Sequence, residues 1–381
     1  MRILYFSRDY TTHDHRFLAA LAQTEHEIGF LQLERRGHAL DDRPLPPQIQ
    51  QIPWVGGQTP ARFMDGPRLL AGLKKVIRNF KPDLIQAGPI QGSAFLVALS
   101  GFRPLVTMSW GYDLLHDVHN GRAWEWATRY TLKRSAALVG DCDTIRNLAI
   151  EYGMAPERIV TFPWGANIKR FTPIPHPKTP NSQLRQRLGW DDEKFVLLSV
   201  RSWSPLYGVE DLARAFVKAA HQRPELRLFM LANGPLAPTI RQILQRGGVL
   251  DQVHFPGQIS QDKLPEFYQA ADLYISTSHS DGTSISLLEA LASGTPVLLS
   301  DIPGNREWVS EEVHPEHSRR VGWLFRDGDV ESLTNGILHA VESRGQISAM
   351  GQAARALAES RGNWEKNFPR LFEAYEIALN R

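Results

Sequence analysis

The stretch ADLYISTSHSDGTSISLLEALASGTPVLLSDI, ending at Ile302, constrains the fold more than any other part of the chain. Leu273 to Thr277 is a short apolar run suited to a parallel strand covered on both faces. Thr295 to Leu299 is another, with Pro296 tolerable near its start. Between them Ser284, Leu287, Leu288 and Leu291 recur at helical spacing, and Gly294 supplies the stop. Strand, turn, helix, strand is the repeating unit of a doubly wound parallel sheet, whose ligands sit at the carboxyl ends of the strands. The first backbone N–H groups of this helix, near Gly282, Thr283 and Ser284, then point at an anion such as a diphosphate.

Asp281 and Glu289 lie eight positions apart, one at the mouth of the turn and the other about two turns into the helix. Their spacing does not make a metal pair. Carboxylates beside an anion site accept hydrogen bonds from sugar hydroxyls and repel phosphate oxygens, so hydroxyl recognition is one reading. The other makes Asp281 a helix N-cap and puts Glu289 on the wet face of the helix. Glu289 interrupts Leu287, Leu288 and Leu291 with a charge that is seldom buried without partners, which favours a functional role for it.

The length of 381 residues suits two domains of about 150 to 200 residues. A hydrophobic content of 42% predicts ordered structure throughout. The 43 basic residues nearly cancel the 41 acidic ones, which gives no global case for a nucleic-acid partner. Cys142 is the single cysteine, which excludes an internal disulfide and suits a reducing compartment. The opening MRILYFSRDY is broken early by Arg8 and Asp9 and reads as a first strand rather than a signal peptide. No run approaches bilayer length. The expectation is a cytoplasmic protein that meets a membrane, if at all, peripherally at the inner face.

In the first half, Arg2 to Phe6, His13 to Gln23 and Gly29 to Leu33 read as strand, helix and strand. The connecting turn SRDYTTHDH has no glycine and is not a dinucleotide fingerprint. Asp41 to Pro60 reads as an irregular connection. Pro67 to Phe80 is an amphipathic helix with Arg68, Lys74, Lys75 and Arg78 on its polar side, facing either water or anionic lipid. Strands follow at Lys81 to Ala87 and Leu105 to Met108, with a small helix at Gly92 to Leu99 between them. After Met108 comes SWGYDLL, where Gly111 permits close backbone approach and Asp113 accepts a hydroxyl or caps the next turn. Trp124 to Arg134, Ala137 to Val139, Thr144 to Tyr152 and Ile159 to Phe162 complete this half. The proline-rich PWGANIKRFTPIPHPKTP then marks the crossing between domains.

The second half restarts at Phe195 to Val200 and places Arg201 at a strand's carboxyl end, where a guanidinium suits a diphosphate. A helix follows from Val209, burying Leu212, Ala215 and Phe216. Leu226 to Leu231 is a strand ending at Ala232, Asn233 and Gly234, Thr239 to Gly247 a helix, and Val253 to Phe255 a short strand. From Asp329 the pattern is helical to the end. There is no HExxH-type metal cluster and no acid–base pair fixed well enough for hydrolysis.

DGTSISLLEALASGTPV resembles the two-carboxylate signature of the family 4 retaining glycosyltransferases of the GT-B fold. That resemblance implies two Rossmann-like doubly wound parallel-sheet domains facing across a cleft, with the Trp364 to Leu379 helix crossing back to the first. The domains expected are 1–170 on the acceptor side, a linker at 171–194, a nucleotide-sugar domain at 195–362 and a terminal helix at 363–381. By the same resemblance Glu289 holds ribose hydroxyls and Asp281, where the family has glutamate, contacts the transferred sugar. Asp281, Arg201 and Asp113 are the catalytic candidates. Glu289, Gly282, Thr283, Ser284, Tyr207, Asn233 and Ile259 are the donor-binding ones, with the base held by backbone near Gly257 to Ile259. Arg201 is similar to the family's arginine, whereas Tyr207 stands where a lysine is usual, before Gly208. On the acceptor side are His13, His15, Trp110 and Gly111; Trp110 replaces a histidine, and the helix start carrying His13 and His15 could equally be capped and exposed. DIPGNREWV, with Glu307, looks like the family's loop after the Leu299 strand, Gly304 supporting a turn below the diphosphate.

The implied reaction moves a hexose-type sugar from a nucleotide diphosphate sugar to a glycan, lipid-linked or small-molecule hydroxyl, with retention and without a metal ion or cofactor. The alternatives are an inverting GT-B transferase, a sugar-nucleotide epimerase, or a non-catalytic nucleotide-sugar-binding protein.

Overall fold

The computed structural model describes residues 1–34, 43–173, 183–309 and 320–380. Residues 174–180 of the proline-rich crossing, and the start of the Asp41 to Pro60 connection, lie outside the described residues. By contact the chain forms two units, one of Met1–Phe162 with Phe368 onward, the other of Pro163–Asn367.

The first unit holds a parallel sheet of β1 (Arg2–Ser7), β2 (Glu27–Gln32), β3 (Gln50–Gln51), β4 (Leu84–Gly88), β5 (Leu105–Met108), β6 (Ala137–Gly140) and β7 (Ile159–Thr161). Their spatial order is β3-β2-β1-β4-β5-β6-β7. β4 starts at Leu84 rather than Lys81 because Lys81 closes the preceding Gly66–Phe80 helix in a left-handed conformation (φ 51°). Its amide bonds back to Ile77 O at 2.9 Å.

The second unit repeats the plan with β8 (Phe195–Ser199), β9 (Leu226–Leu231), β10 (Val253–Gly257), β11 (Leu273–Ser276), β12 (Val297–Ser300) and β13 (Gly322–Phe325), in the order β10-β9-β8-β11-β12-β13. Its strands read as continuous apolar runs because side-chain alternation feeds two cores. Phe195, Leu197, Leu273 and Ile275 enter one core; Val196, Leu198, Tyr274 and Leu299 enter the other. Helices Val209–Gln222 and Val330–Glu342 cover the first face, and Ile285–Ala292 with Ile347–Arg361 the second. This is the doubly wound plan expected of both halves. In it the winding reverses between β8 and β11, so turns leaving these two strands diverge and open a crevice at their carboxyl ends.

Three readings need correction. DIPGNREWV is not a loop: Pro303–Val309 is a helix that buries Trp308. The strand at Gly322–Phe325 and the short helix Leu264–Ala270 escaped notice because each is too brief for periodicity to register. Trp364 to Leu379 is not one helix. It breaks into Trp364–Asn367, a tight turn at Phe368–Arg370 containing Pro369, and Leu371–Leu379, as a proline inside a helical run requires.

The last of these segments belongs to the first unit, where the Tyr375 hydroxyl donates to Gln86 of β4 and both side chains are buried. Residues 163–170 and 363–367 go instead with the second unit. They are tied together there, Ala166 N to Gly362 O at 2.6 Å and Trp364 N to Ala166 O at 3.0 Å.

Candidate functional site

Arg201 leaves β8 and Asp281 leaves β11, two strands in direct register through Leu198 and Tyr274. The reversal of winding therefore brings together residues 80 positions apart. Arg201 Nη2 donates to Asp281 Oδ2 at 2.6 Å, and Nη1 to Ser284 Oγ at 2.6 Å and Ser286 Oγ at 3.2 Å. The guanidinium lies over the Tyr207 ring, 4.2 Å from its centre, an arrangement the ring quadrupole favours. Side-chain exposure is only 11% for Arg201 and 21% for Asp281. Burial pushes the Asp281 carboxyl above its usual range while Arg201 pulls against that shift. Burial works against the Arg201 charge too, yet the carboxylate beside it holds the guanidinium protonated more firmly than in water.

The helix begins at Ile285 with Ser284 as N-cap, so Gly282 and Thr283 belong to the turn before it and Asp281 is not the cap. Ser284 makes no side-chain cap bond, because its hydroxyl is occupied by Arg201 and by Ser286 Oγ at 2.7 Å. The N–H groups aimed outward at the helix start are accordingly those of Ile285 and its successors. Beneath the turn, Gly304 allows backbone approach that no side chain would permit. A Cβ there would lie 2.5 Å from Gly282 O and 2.6 Å from Asp281 O. Trp308 of the same helix reaches Thr283 Oγ1 at 3.4 Å.

Glu289 sits about one turn into the helix, not two, and is 5% exposed. The wet-face alternative therefore fails. Its Oε2 accepts from the Tyr268 hydroxyl at 3.0 Å. Sequence reading missed Tyr268, Tyr274 and Ser286; only Tyr274 carried a signal, a tyrosine inside an apolar strand whose buried hydroxyl needs a partner. Elsewhere in this unit Asn233 is exposed at the end of β9 and turns its side chain to Gly234 N at 2.8 Å. Ile259 is half-buried against the core.

In the first unit, Thr11 and Asp14 form a capping box at the start of helix Thr12–Leu21. His13 and His15 are half-buried rather than fully exposed: His13 packs 5.5 Å from the Trp110 ring and His15 Nδ1 meets the Tyr10 hydroxyl at 2.6 Å. Gly111 takes φ 85°, the left-handed conformation a glycine allows. Asp113, called as a catalytic hydroxyl acceptor, has no exposed surface. It accepts from Ser109 Oγ (2.5 Å), Leu114 N (3.0 Å), Ile90 N (3.1 Å) and Trp110 N (3.3 Å). The structure spends this carboxylate on pinning the loops after β4 and β5. Burial raises it from the ordinary range and these four donors counter the rise. Among the described residues no group of three or more His, Cys, Asp or Glu could hold a metal ion.

Two tandem doubly wound parallel sheets, with a cation, a helix start and two carboxylates gathered at the switch point of the second, define a GT-B glycosyltransferase architecture. The family profile described as Glycosyl transferases group 1 matches residues 180–357, and that described as Glycosyltransferase Family 4 matches residues 11–170. The chain belongs to the family 4 glycosyltransferases. The D-inositol 3-phosphate glycosyltransferase of Geodermatophilus obscurus is 29% identical over 303 residues, 71% of this chain and 62% of the relative. A GDP-mannose-dependent monoacylated alpha-(1-6)-phosphatidylinositol monomannoside mannosyltransferase of Corynebacterium glutamicum is 25% identical, covering 82% and 72%. The chain thus spans about two thirds of the length of such relatives. Among solved structures, the sucrose-phosphate synthase of Thermosynechococcus elongatus superposes with a TM-score of 0.79 at 18% identity, covering 99% and 98%. Anabaena Alr3699/HepE in complex with UDP-glucose gives 0.75 at 19%, covering 99% of each chain.

If Asp113 is a structural pin, Asp113→Asn puts an amide donor against donors already in place. Chemical unfolding should then show a loss of about 1–3 kcal/mol. Full stability with turnover abolished would return Asp113 to a direct role on substrate.

Proposed function

We propose that this protein transfers a hexose-type sugar, with retention, from a nucleotide diphosphate sugar to a glycan, lipid-linked or small-molecule hydroxyl, without a metal ion. The observation that carries the reading is Arg201, held between Asp281, Ser284 and Ser286 beside a helix start at the switch point. Charge that develops on the departing diphosphate is met there by a guanidinium and by the outward N–H groups of the Ile285–Ala292 helix. Asp281 lies before that helix start, on the side of the transferred sugar, where its carboxylate accepts hydroxyl protons. Glu289 lies further along the helix and takes the ribose, and backbone near Gly257 to Ile259 takes the base. The UDP-glucose bound to the Anabaena protein and the GDP-mannose dependence of the Corynebacterium relative mark the donor class to try first.

The first unit supplies the acceptor side, with His13, His15, Trp110 and Gly111. It also carries a face suited to anionic lipid. Arg68, Lys74, Lys75 and Arg78 are exposed along the Gly66–Phe80 helix, and Trp124 and Trp126 are 40% and 55% exposed on the Arg122–Arg134 helix. No described helix is long and apolar enough to cross a membrane.

Variants, titrations and vesicle binding test the reading. Over a panel of UDP- and GDP-sugars with glycan and lipid acceptors, Asp281→Asn should lower turnover without weakening the bare nucleotide diphosphate, since it frees the Arg201 charge. Glu289→Gln should weaken nucleotide and nucleotide sugar alike, by about 1.5–3 kcal/mol. Normal turnover in Asp281→Asn, or unchanged affinity in Glu289→Gln, refutes the corresponding contact. An inverted anomer in the product NMR spectrum, or binding without any turnover, replaces the retaining transferase by one of its rivals.

Calorimetric titration of UDP or GDP should give the same affinity with and without chelator; a large loss on chelation defeats metal independence. Sedimentation with vesicles should show binding to phosphatidylglycerol-containing bilayers that weakens with salt and with Trp126→Ser. Equal binding to zwitterionic and anionic vesicles, or none to either, removes the lipid contact.

A further inference from the structure

Two buried phenols join the carboxylates of the proposed donor site through one helix. Tyr268, on the Leu264–Ala270 helix, places its hydroxyl 3.0 Å from Glu289 Oε2 and 3.1 Å from Ser286 O. Tyr274, on β11, places its hydroxyl 2.7 Å from Ser286 Oγ. That serine hydroxyl lies 2.7 Å from Ser284 Oγ, and both accept from Arg201 Nη1. Tyr268 thus meets Glu289 within the helix, while Tyr274, the two serine hydroxyls and Arg201 lead to Asp281 before its start, with every step within 3.2 Å. Neither phenol is exposed at all, and each ring packs in the core beneath the helix.

The proton directions along this path are constrained. A guanidinium only donates, so Ser284 and Ser286 must turn their own hydroxyl protons away from Arg201. The Tyr268 hydroxyl has one proton, and the charged Glu289 oxygen is a stronger acceptor than the Ser286 carbonyl. Burial, then the neighbouring Glu289, drive the Tyr268 phenol far above its ordinary range, so it stays a proton donor throughout the working pH range. A neutral phenol therefore faces one oxygen of Glu289 permanently.

We propose that Tyr268 and Tyr274 are positioning residues for opposite ends of the donor, a proposal that rests on the donor-site reading above. Tyr268 sets the Glu289 carboxylate for the nucleoside. Tyr274, through Ser286 and Ser284, sets the plane of Arg201 for the departing diphosphate. Ser286 and Glu289 stand three positions apart on one helix face, so the two settings share a rigid frame.

The experiment compares Tyr268→Phe, Tyr274→Phe and Ser286→Ala in steady-state kinetics with the best donor of the panel, in titration with UDP or GDP, and in thermal unfolding. The expected result is a split. Tyr268→Phe raises KM and weakens the nucleotide about tenfold with kcat held within about twofold, as removal of a charge-assisted bond on the bound ground state requires. Tyr274→Phe lowers kcat about tenfold, Ser286→Ala does the same, and the double variant loses no more than either alone. The proposal is overturned if the two Phe variants shift kcat and KM in the same pattern, or if both keep wild-type kinetics whatever their melting temperature. Should wild-type protein bind no nucleotide diphosphate, the donor-site reading fails and takes this one with it. That result is visible before any variant is made.

Discussion

The ion pair between Arg201 and Asp281 is the interaction on which the second unit's chemistry depends. A guanidinium at 11% exposure is costly to desolvate and persists only where its donors are matched. Here one carboxylate, two hydroxyls and an aromatic face do the matching. Removing any partner leaves a buried charge exposed to that cost, so the surrounding turn is over-determined. Trp308 braces Thr283 from below, and Gly304 lets a helix press on the carbonyls of Asp281 and Gly282. A rigid cation beside a helix start needs no reorganisation when negative charge develops in front of it, the condition under which fixed dipoles are most effective.

That pair depends in turn on strand order. β8 and β11 are far apart in sequence and adjacent in space because the winding reverses between them. Any topology without that reversal would send Arg201 and Asp281 to different places. The first unit has the same reversal between β1 and β4, but lines it differently. There Asp14 and Asp113 are buried and held by the protein's own donors, and the Trp110 ring packs beside His13. One topology therefore carries a paired cation beside a helix start in one unit and carboxylates enclosed by protein donors in the other.

Much of this was legible in the sequence because parallel strands buried on both faces leave unbroken apolar runs. β5 at Leu105–Met108 and β9 at Leu226–Leu231 have the bounds that pattern predicts. Arg201 and Glu289 stood out as charges at the end of one apolar run and inside another. What periodicity does not record is which oxygen meets which donor. Asp113 follows a strand as Asp281 does, yet one is enclosed by four donors and the other faces a guanidinium. Tyr268 and Tyr274 look like core rings in the sequence because only their hydroxyls are polar. The short Pro303–Val309 helix hid behind its proline and glycine, which ordinarily announce a loop.

Two side chains at this site, Tyr207 and Asp281, set the orientation and the charge balance of Arg201. Tyr207 adds no positive charge, and Asp281 at 2.6 Å balances that of Arg201. The local pair is then close to neutral, so long-range attraction for a diphosphate is weak. What remains is direction. The Tyr207 ring fixes the face of the guanidinium at 4.2 Å, the serines fix its edge, and the helix start adds parallel N–H groups. In the proposed reaction, recognition of the leaving group then rests on oriented donors at short range rather than on accumulated charge.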